Sequence, residues 1–502
     1  MHIGLLPLDE RPVNLRYPAQ IAATAGATLV LPPRALLPRL RTPGDVAALA
    51  DWLQDTAPSL DALIVDLEML TSGGLIAARI TDETPGQLVA RLDLLREIRR
   101  DNPQLKLTAF SVITRVSNAD YNLEEPVYWE QYGTALYRLS QLLDRAQQGQ
   151  AVAAALAAAQ AAVPAAHRAD FLRRRLRNHT LNLAALHLLH DDVLDLLVIS
   201  SDDTSPYGLG SREKRWLASW DAVLGAPARG ELLMYPGADE VGCALLIRAI
   251  NKLHGRTPAF AVEYAPAAGA EIIAPYEDGP ARTTVERQIL ACGGVLDGDN
   301  ADLFVAVNAP SPRRTEWQPA FADDERTART PELAALVARV AAQVHQRPVV
   351  VADIAYPNGA DPVLVALLAA QLPLAQLAAY GAWNTAGNTV GTALAQGNAW
   401  LYATTAAQRQ AAEYALVHHL VEDWGYQHLA RSSARDWLEQ THGISDPTTA
   451  HLAATSALIA QHLAAHLASL PDLGARWQLV PGSTYQPWGR LFEVDFDLEK
   501  RS

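Results

Sequence analysis

Short apolar runs alternate with longer helical patterns along most of the chain. Such runs begin with Ile3 to Leu8, and others read DALIVDLEML, LKLTAFSVITR, LDLLVIS, ELLMY, AFAVEY, DLFVAVN and PVVVADIAY. Their length and β-branched content are typical of strands buried on both faces. Roughly ten such strands alternating with helices indicate parallel βα units. The pattern predicts an α/β fold with two doubly wound lobes facing a cleft; a (β/α)8 barrel with insertions is the alternative.

The helical patterns also predict the domain organisation. Residues 1–120 carry four strand-like runs and form an N-terminal α/β lobe, and residues 121–190, with the alanine-rich run AVAAALAAAQAAV, form a helical insertion or connection. Residues 191–404 form a second α/β lobe. Residues 405–502 are mostly helical and close with a short β-like tail, RLFEVDFDL.

Composition and charge exclude several classes of protein. The chain has 502 residues, 49% of them hydrophobic, and a net charge of −14, with its basic residues scattered. A nucleic-acid groove needs concentrated positive charge, so no nucleic-acid partner is expected. Apolar segments are too short to span a bilayer, and the N-terminus lacks a basic leader, so we expect no membrane partner and a cytoplasmic location.

Several familiar motifs are missing from the sequence. It contains no GxGxxG, GxxxxGK[ST], GxSxG or HExxH. Two cysteines, Cys243 and Cys292, are too few for a disulfide framework or a cysteine-based zinc site. Seven histidines between His418 and His466 lie in the helical C-terminal part, where surface or packing roles are expected. We therefore expect no cofactor and no metal ion.

The most informative stretch is LDLLVISSDDTSPYG, residues 194–208. Its apolar run breaks abruptly at Asp202 and Asp203, which places two carboxylates at the end of a strand. The carboxyl ends of parallel strands carry the ligand site in α/β folds. An Asp-Asp pair in a helix cap or an Asx turn is the structural alternative. We favour a catalytic pair because polar clusters follow the other strand-like runs as well.

These other clusters supply the candidate substrate-binding residues. They combine carboxylate, amide, arginine and aromatic side chains, the chemistry that binds sugar hydroxyls and covers a sugar ring. The candidates are Asp9, Arg11, Asp66, Arg115, Tyr207, Asp239, Glu240, Asn358, Asp361, Trp383, Asn384 and Asn388.

Two local expectations accompany these candidates. Asp66 and Glu68 are two residues apart, so their carboxylates should share a face of the strand end, with Arg79 as a candidate partner. The glycines of PNGAD and GAWNTAGN are expected to allow positive φ or close approach of a ligand.

Six motifs in one order resemble a known bacterial family. They are PLDERPVN, DLEMLTSGGLIAAR, SSDDTSPYG, YPGADEVG, ADIAYPNGAD and GAWNTAGNTVG. Together they span nearly the whole chain and are similar to those of the family catalogued as domain of unknown function 4127. The resemblance implies no particular reaction. One departure concerns the residue before the double glycine, where the family pattern has an aromatic and this chain has Ser72.

The function predicted from these residues is hydrolysis of a carbohydrate, with a small-molecule sugar or polar ligand as partner. A glycoside hydrolase needs one acid and a second carboxylate. The Asp-Asp pair is similar to that of substrate-assisted N-acetylhexosaminidases, and Asp203 is the expected acid because it lies farther from the strand. One alternative is a metal-assisted hydrolase with an all-oxygen site that includes Asp239 and Glu240. The other is a non-catalytic, two-lobed binding protein.

Overall fold

Two separate parallel sheets organise the chain. The computed structural model describes residues 1–225, 230–317, 324–470 and 472–501, and residues 324–327 by their backbone alone. The described residues divide into two compact units. The first comprises residues 1–10, 28–245 and 276–278, and the second comprises 11–27, 246–275 and 279–502.

The first unit contains a six-stranded parallel sheet. Its strand order is β2-β1-β3-β4-β5-β6. The strands are β1 His2–Leu6, β2 Thr28–Val30, β3 Ala62–Asp66, β4 Lys106–Ile113, β5 Leu196–Ser201 and β6 Leu232–Pro236. Every residue of β3 and β5 is buried, as expected for strands covered on both faces.

The second unit contains a five-stranded parallel sheet of order β11-β10-β9-β7-β8. Its strands are β7 Ala259–Ala265, β8 Val295–Leu296, β9 Leu303–Asn308, β10 Val349–Asp353 and β11 Ala379–Gly381. Read from its own first strand, this sheet has the order 2-1-3-4-5, the same as the first five strands of the other sheet. Both sheets are therefore open and doubly wound, which confirms the predicted fold class over the barrel alternative.

Helices connect the strands in both units. Those of residues 28–253 are Val46–Thr56, Leu67–Ser72, Leu75–Ile80, Pro85–Arg91, Asp93–Asp101, Trp129–Gln147, Ala153–Ala161, Ala165–His190, Leu209–Leu224 and Val241–Leu253. Those of the second unit are Pro12–Ala25, Ala281–Ala291, Asp324–Gln343, Pro362–Gln371, Ala386–Trp400, Ala406–His419, Arg431–His442 and Leu452–Ser469, with a π-helix at Leu420–Ala430. In the described part of the chain, no helix combines the length and apolar character needed to cross a membrane.

The C-terminal part is mostly helical, as predicted, and belongs to the core of the second unit. Tyr426 and Ile459 from its helices pack in one apolar cluster with Val351 of β10. A two-stranded antiparallel sheet, β12 Trp477–Leu479 and β13 Leu498–Lys500, closes the chain.

The pairing of β5 and β6 corrects the predicted domain limits. The sequence assigns both strands to a second lobe beginning at residue 191, but β5 pairs with β4, and β6 pairs with β5. The three helices between residues 129 and 190 therefore connect neighbouring strands of one sheet. Trp129, Leu136 and Phe171 of these helices form a small core of their own with Leu209. The predicted cleft between the lobes stays a prediction.

Candidate functional site

The loop after β5 places Asp202 and Asp203 at the carboxyl edge of the first sheet. The Asp202 amide donates to the Ile113 carbonyl at 3.2 Å, which extends the pairing with β4 by one residue. Asp203 has a φ of 41°, in the left-handed region that only a few residue types adopt readily. Thr204 then donates to the Tyr276 carbonyl from its amide and its hydroxyl, at 3.1 and 2.8 Å. The two carboxylates are thus held by a fixed turn.

Asp202 contacts a buried arginine. Arg79 Nη2 donates to Asp202 Oδ2 at 2.5 Å, and Arg79 Nη1 donates to Glu124 Oε2 at 3.0 Å. Only 3% of the Arg79 side chain is exposed. The expectation that Arg79 pairs with Asp66 and Glu68 is wrong, because the helix Leu75–Ile80 carries its guanidinium to Asp202 and Glu124.

Asp203 contacts the arginine that follows β4. Arg115 Nη1 donates to Asp203 Oδ2 at 3.1 Å, and the same guanidinium donates to Glu124 and Glu125 at 3.2 Å each. Two guanidinium groups therefore form ion pairs with four carboxylates. We call these six residues, Arg79, Arg115, Glu124, Glu125, Asp202 and Asp203, the strand-end charge cluster.

Burial raises the pKa of two carboxyl groups in the strand-end charge cluster. The pKa of Asp203 is raised to about 6, chiefly because the carboxyl is partly removed from water and then because Asp202 lies beside it, while Arg115 opposes the rise. Burial likewise raises the pKa of Glu125, against the attraction of Arg79 and Arg115. With 30% of its side chain exposed, Asp203 can still exchange a proton with a bound molecule.

A small pocket opens beside this cluster. Arg115, Asp202, Asp203, Tyr207 and Lys214 line it, and its volume is about 30 Å³, room for about one water molecule. The predicted residue Tyr207 therefore lies next to the two aspartates, and the Arg145 guanidinium covers its ring at 4.5 Å.

Asp9 and Asp66 lie at the ends of β1 and β3, between which the strand order of the first sheet changes direction. Both are buried, with 1% and 0% of their surface exposed. Asp66 Oδ1 accepts a hydrogen bond from the Met69 amide at 2.5 Å and caps the helix that begins at Leu67. The predicted extended stretch through Glu68 is thus a helix start.

Glu68 and Asp66 form a buried acid pair. Glu68 Oε1 accepts hydrogen bonds from Ser111 Oγ at 2.7 Å and from the Val112 amide at 3.1 Å. Burial raises the pKa of Glu68 to about 7, and these hydrogen bonds oppose the rise. Burial and the charge of Glu68 raise the pKa of Asp66 well above its usual range. The pair therefore holds at least one proton near neutral pH.

Asp239 and Glu240 follow β6 at the same edge of the first sheet and are buried. Glu240 Oε2 accepts a hydrogen bond from the Ala238 amide at 3.0 Å. A Cβ on Gly237, whose φ is 139°, would lie 2.0 Å from Glu240 Oε1, so the loop needs glycine at that position. Glu240 thus shapes its own loop.

The predicted residues after β10 and β11 lie in the second unit. Asp361 caps the helix Pro362–Gln371 through the Val363 amide, and its own amide donates to Asp353 Oδ2 at 2.7 Å. Burial and the charge of Asp361 raise the pKa of Asp353 to about 7. Asp361 is 2% exposed, and Asn308 Nδ2 donates to both carboxylates.

Asn358 and Asn384 have φ values of 56° and 67° and stand at the turns of their loops. Trp383 is 4% exposed and packs edge-on against Phe492, at 5.8 Å between ring centroids. Its indole therefore faces protein. Asn388 is buried in the first turn of the helix Ala386–Trp400, whose N-cap is Thr385.

Arg11 also belongs to the second unit, two residues after Asp9 of the first unit in sequence. Its guanidinium lies 4.5 Å from the centre of the Trp488 ring and 3.8 Å from Glu493 Oε1. Of the predicted residues, Arg115, Asp202, Asp203 and Tyr207 share one site, whereas the others lie at further strand ends or in the second unit.

Sequence reasoning missed a buried acid–histidine cluster in the second unit. Its members come from the helix Pro12–Ala25, from the segment around the start of the π-helix and from the C-terminal tail, and all are at most 2% exposed. They are Tyr17, His418, His419, Glu422, Asp423 and Asp495.

Hydrogen bonds connect this acid–histidine cluster to the strand-end loops of the second unit. Asp423 Oδ2 accepts from the Ala382 amide at 2.7 Å, and its backbone carbonyl accepts from the Ala360 amide at 3.1 Å. His418 lies between Glu422 and Asp495, at 3.5 and 3.4 Å. His418 and His419 are buried and pack against Phe496 and Tyr17, so the expectation of surface or packing roles holds as packing for these two, but it did not include the neighbouring acids. The available signal was their four-residue spacing from Glu422 and Asp423, across the junction between the helix Ala406–His419 and the π-helix.

Within the described residues, no three or more His, Cys, Asp or Glu side chains are grouped so that they could hold a metal ion.

The model of the family described as protein of unknown function (DUF4127) matches residues 3–497. The chain belongs to this family. The DUF4127 match thus covers both sheets and the helical C-terminal part. No curated protein and no solved structure matched the chain.

Proposed function

We propose that this DUF4127 protein is a hydrolase acting on a carbohydrate, a glycoside hydrolase with Asp203 as the general acid and Asp202 as the orienting carboxylate. One observation carries the proposal: the pKa of Asp203 is raised to about 6 at a partly exposed position beside Asp202. A general acid works best when its pKa lies near the working pH. Neighbouring carboxyl groups whose surroundings separate their proton affinities are typical of such acid pairs.

The arginines assign different roles to the two aspartates. Arg79 is almost fully buried and holds Asp202 in one orientation, so Asp202 suits the fixed acceptor of a substrate N–H or O–H. Arg115 and Asp203 are both partly exposed, so a substrate oxygen can reach Asp203. In the proposed reaction Asp203 gives its proton to the glycosidic oxygen as the C–O bond breaks, and the leaving group departs as an alcohol. Water then adds to the sugar carbon and returns a proton to Asp203.

The size of the pocket limits how the substrate lies. A volume of about 30 Å³ holds about one water molecule and no sugar ring. The proposed substrate therefore lies across the mouth of the pocket, and only the scissile oxygen approaches Asp203. Tyr207 lines the same pocket, and in the proposed pose the face of its ring opposite Arg145 contacts the sugar ring.

The strand-end charge cluster disfavours the metal-assisted alternative. Arg79 and Arg115 already occupy positions against Asp202 and Asp203 where a cation would bind. A screen for glycoside hydrolysis distinguishes the hydrolase from the non-catalytic sugar-binding protein. A cytoplasmic location and a small-molecule carbohydrate partner stay part of the proposal.

A screen of nitrophenyl glycosides, including N-acetylhexosaminides, tests the proposal. On the best substrate, Asp203→Asn and Asp202→Asn should each lower turnover by roughly two orders of magnitude or more, because proton transfer or orientation is lost. Asp195→Asn is the matched control, since Asp195 lies just before β5 at the opposite end of the strand and also pairs with an arginine, Arg99.

Two outcomes would overturn the proposal. One is near-parental turnover by both aspartate variants, which would make the pair a structural cap. The other is binding of sugars without hydrolysis of any glycoside in the screen, which would favour the binding protein.

A further inference from the structure

A second cavity lies wholly within the second unit, at the loop that follows β10. Its volume is about 140 Å³, several times that of the pocket beside Asp203. Its walls are formed by residues 357–360 of the loop, by the π-helix and by the first turns of the helix Arg431–His442. The cavity contains one predicted residue, Asn358, together with charged and aromatic residues that the sequence did not single out.

The backbone around the cavity is fixed by close contacts. Gly359 has a φ of 149°, and a Cβ there would lie 3.2 Å from Gln427 Cβ of the π-helix. The Ala360 amide donates to the Asp423 carbonyl at 3.1 Å. The loop is thus held against the π-helix, a type of helix that is frequent at functional sites.

Positive charge dominates the cavity. Arg431 and Arg435 are one turn apart on one helix and both line it, with Glu316 as the carboxylate among the lining residues. Like charges at this spacing repel each other. Burial lowers the pKa of the Arg431 guanidinium, the charge of Arg435 lowers it further, and Glu316 opposes this. Arg431 Nε is buried without a hydrogen-bond partner. An anionic group would offset the repulsion between the two arginines and accept a hydrogen bond from Arg431 Nε.

Asn358 supplies an acceptor beside these arginines. Its Nδ2 donates to Glu316 Oε1 at 2.7 Å. Because a carboxylate oxygen accepts, this contact requires the amide nitrogen to face Glu316. Asn358 Oδ1 is then left buried without a hydrogen-bond partner. An acceptor in that position needs a donor, such as a hydroxyl group.

An aromatic wall completes the cavity. Trp317 lines it and meets His428 edge-on at 4.2 Å between ring centroids. Burial lowers the pKa of His428, so its ring is neutral near pH 7 and adds no third positive charge. An indole face beside arginines and an amide suits the apolar face of a sugar ring.

We propose that this cavity binds a hydroxylated anion, a sugar phosphate or a sugar acid. The anionic group pairs with Arg431 and Arg435, a hydroxyl donates to Asn358 Oδ1, and Trp317 contacts the ring. The cavity lies in the second unit and shares no residue with the aspartate pair, so this proposal can be tested independently of the proposed hydrolysis.

Isothermal titration calorimetry on the full chain tests the site with four probes: glucose 6-phosphate, glucuronate, inorganic phosphate and glucose. At least one of the two sugar anions should bind about tenfold or more tightly than glucose, and its affinity should fall with added salt. Stronger binding of glucose 6-phosphate identifies a sugar phosphate site, and stronger binding of glucuronate identifies a sugar acid site.

Three variants locate the site. Arg431→Gln and Arg435→Gln should each weaken binding of the preferred sugar anion about tenfold, the loss expected for one charge-assisted contact. Asn358→Gly keeps the positive φ and removes the amide, so it should weaken the sugar anion and leave inorganic phosphate unchanged. Arg409→Gln, an exposed arginine on another helix of the unit, is the control and should bind like the parent.

Arg435 is exposed, so Arg435→Gln should fold normally. The test therefore stays valid if Arg431→Gln lowers the melting temperature. The proposal is overturned if neither sugar anion binds more tightly than about 1 mM. It is also overturned if the well-folded Arg435→Gln protein binds like the parent.

Discussion

The backbone amide of Asn358 donates a hydrogen bond to the carbonyl oxygen of Asn384 at 3.0 Å. Both residues have positive φ, and each stands at the turn that follows a strand of the second sheet. This bond joins the loops after β10 and β11. The two asparagines are thus part of the loop framework, whatever their side chains bind.

Asn384→Ala is expected to destabilise the protein, whereas Asn384→Gly is not. Alanine at a φ of 67° costs roughly 1 kcal/mol, because its Cβ crowds the backbone in the left-handed region. Glycine adopts this conformation without the Cβ penalty. Urea unfolding of the two variants measures the difference. Equal stability of the alanine and glycine variants would show that the backbone there is unstrained.

Arg79→Met should lower the unfolding free energy by about 3 kcal/mol or more, because Asp202 and Glu124 would lose a buried cationic partner. Arg100→Met removes an exposed arginine that pairs with Asp101 and should leave stability nearly unchanged. Denaturant titration at neutral pH compares the two. If both variants unfold at the parental midpoint, the charge cluster contributes nothing to the fold.

Glu68→Gln should flatten the pH dependence of stability. The folded pKa of Glu68 is about 7, above its ordinary value of 4.5, so the folded state binds more protons than the unfolded state between these values. This contribution to stability is fully present below pH 4.5 and is lost as the pH rises through 7.

Glutamine resembles the protonated acid and does not titrate. The variant's stability should therefore fall less steeply from pH 5 to pH 8, by up to about 1.4 kcal/mol per pH unit, in urea unfolding at each pH. Asp195→Asn serves as a control, since the pKa of Asp195 is lowered, mainly by Arg99 and the Leu107 amide against its burial. A slope identical to the parent's in Glu68→Gln would mean that Glu68 is ionised throughout.

If hydrolysis is found, kcat/KM should decrease above about pH 6, because only protonated Asp203 can donate. Arg115→Gln removes a cation that opposes the raised pKa, so the decrease should move to higher pH. Rates from pH 4 to pH 9 on one substrate test both statements. An unchanged profile in Arg115→Gln would assign the titration to another group.

The sequence predicted the parallel α/β class well, because buried strands have a clear apolar pattern. It could not predict that β5 and β6 join the first sheet, because no local sequence pattern indicates that two strands separated by residues 114–195 are paired. Glycine positions were only partly predicted. Gly359 has positive φ, but asparagines take this conformation at 358 and 384, and Gly387 lies in a helix.

At the candidate site, the sequence indicated that Asp202, Asp203 and Arg115 lie at strand ends. Glu124 and Glu125 were not predicted, because they follow β4 by about ten residues in an irregular loop. The hydrophobic pattern also could not predict the direction in which a loop side chain points. Trp383 follows a strand as a sugar-stacking residue would, yet its ring packs against Phe492.

The division of the chain between the two units limits where it can be truncated. The polypeptide leaves the first unit after Glu10, returns at Thr28, leaves again after Leu245 and returns briefly at 276–278. The interior strand β1 therefore cannot be cut away with the rest of its unit without taking the helix Pro12–Ala25 from the other. No single cleavage of the chain yields either unit complete. A shortened chain that keeps one sheet intact must therefore be joined from separate segments of the sequence.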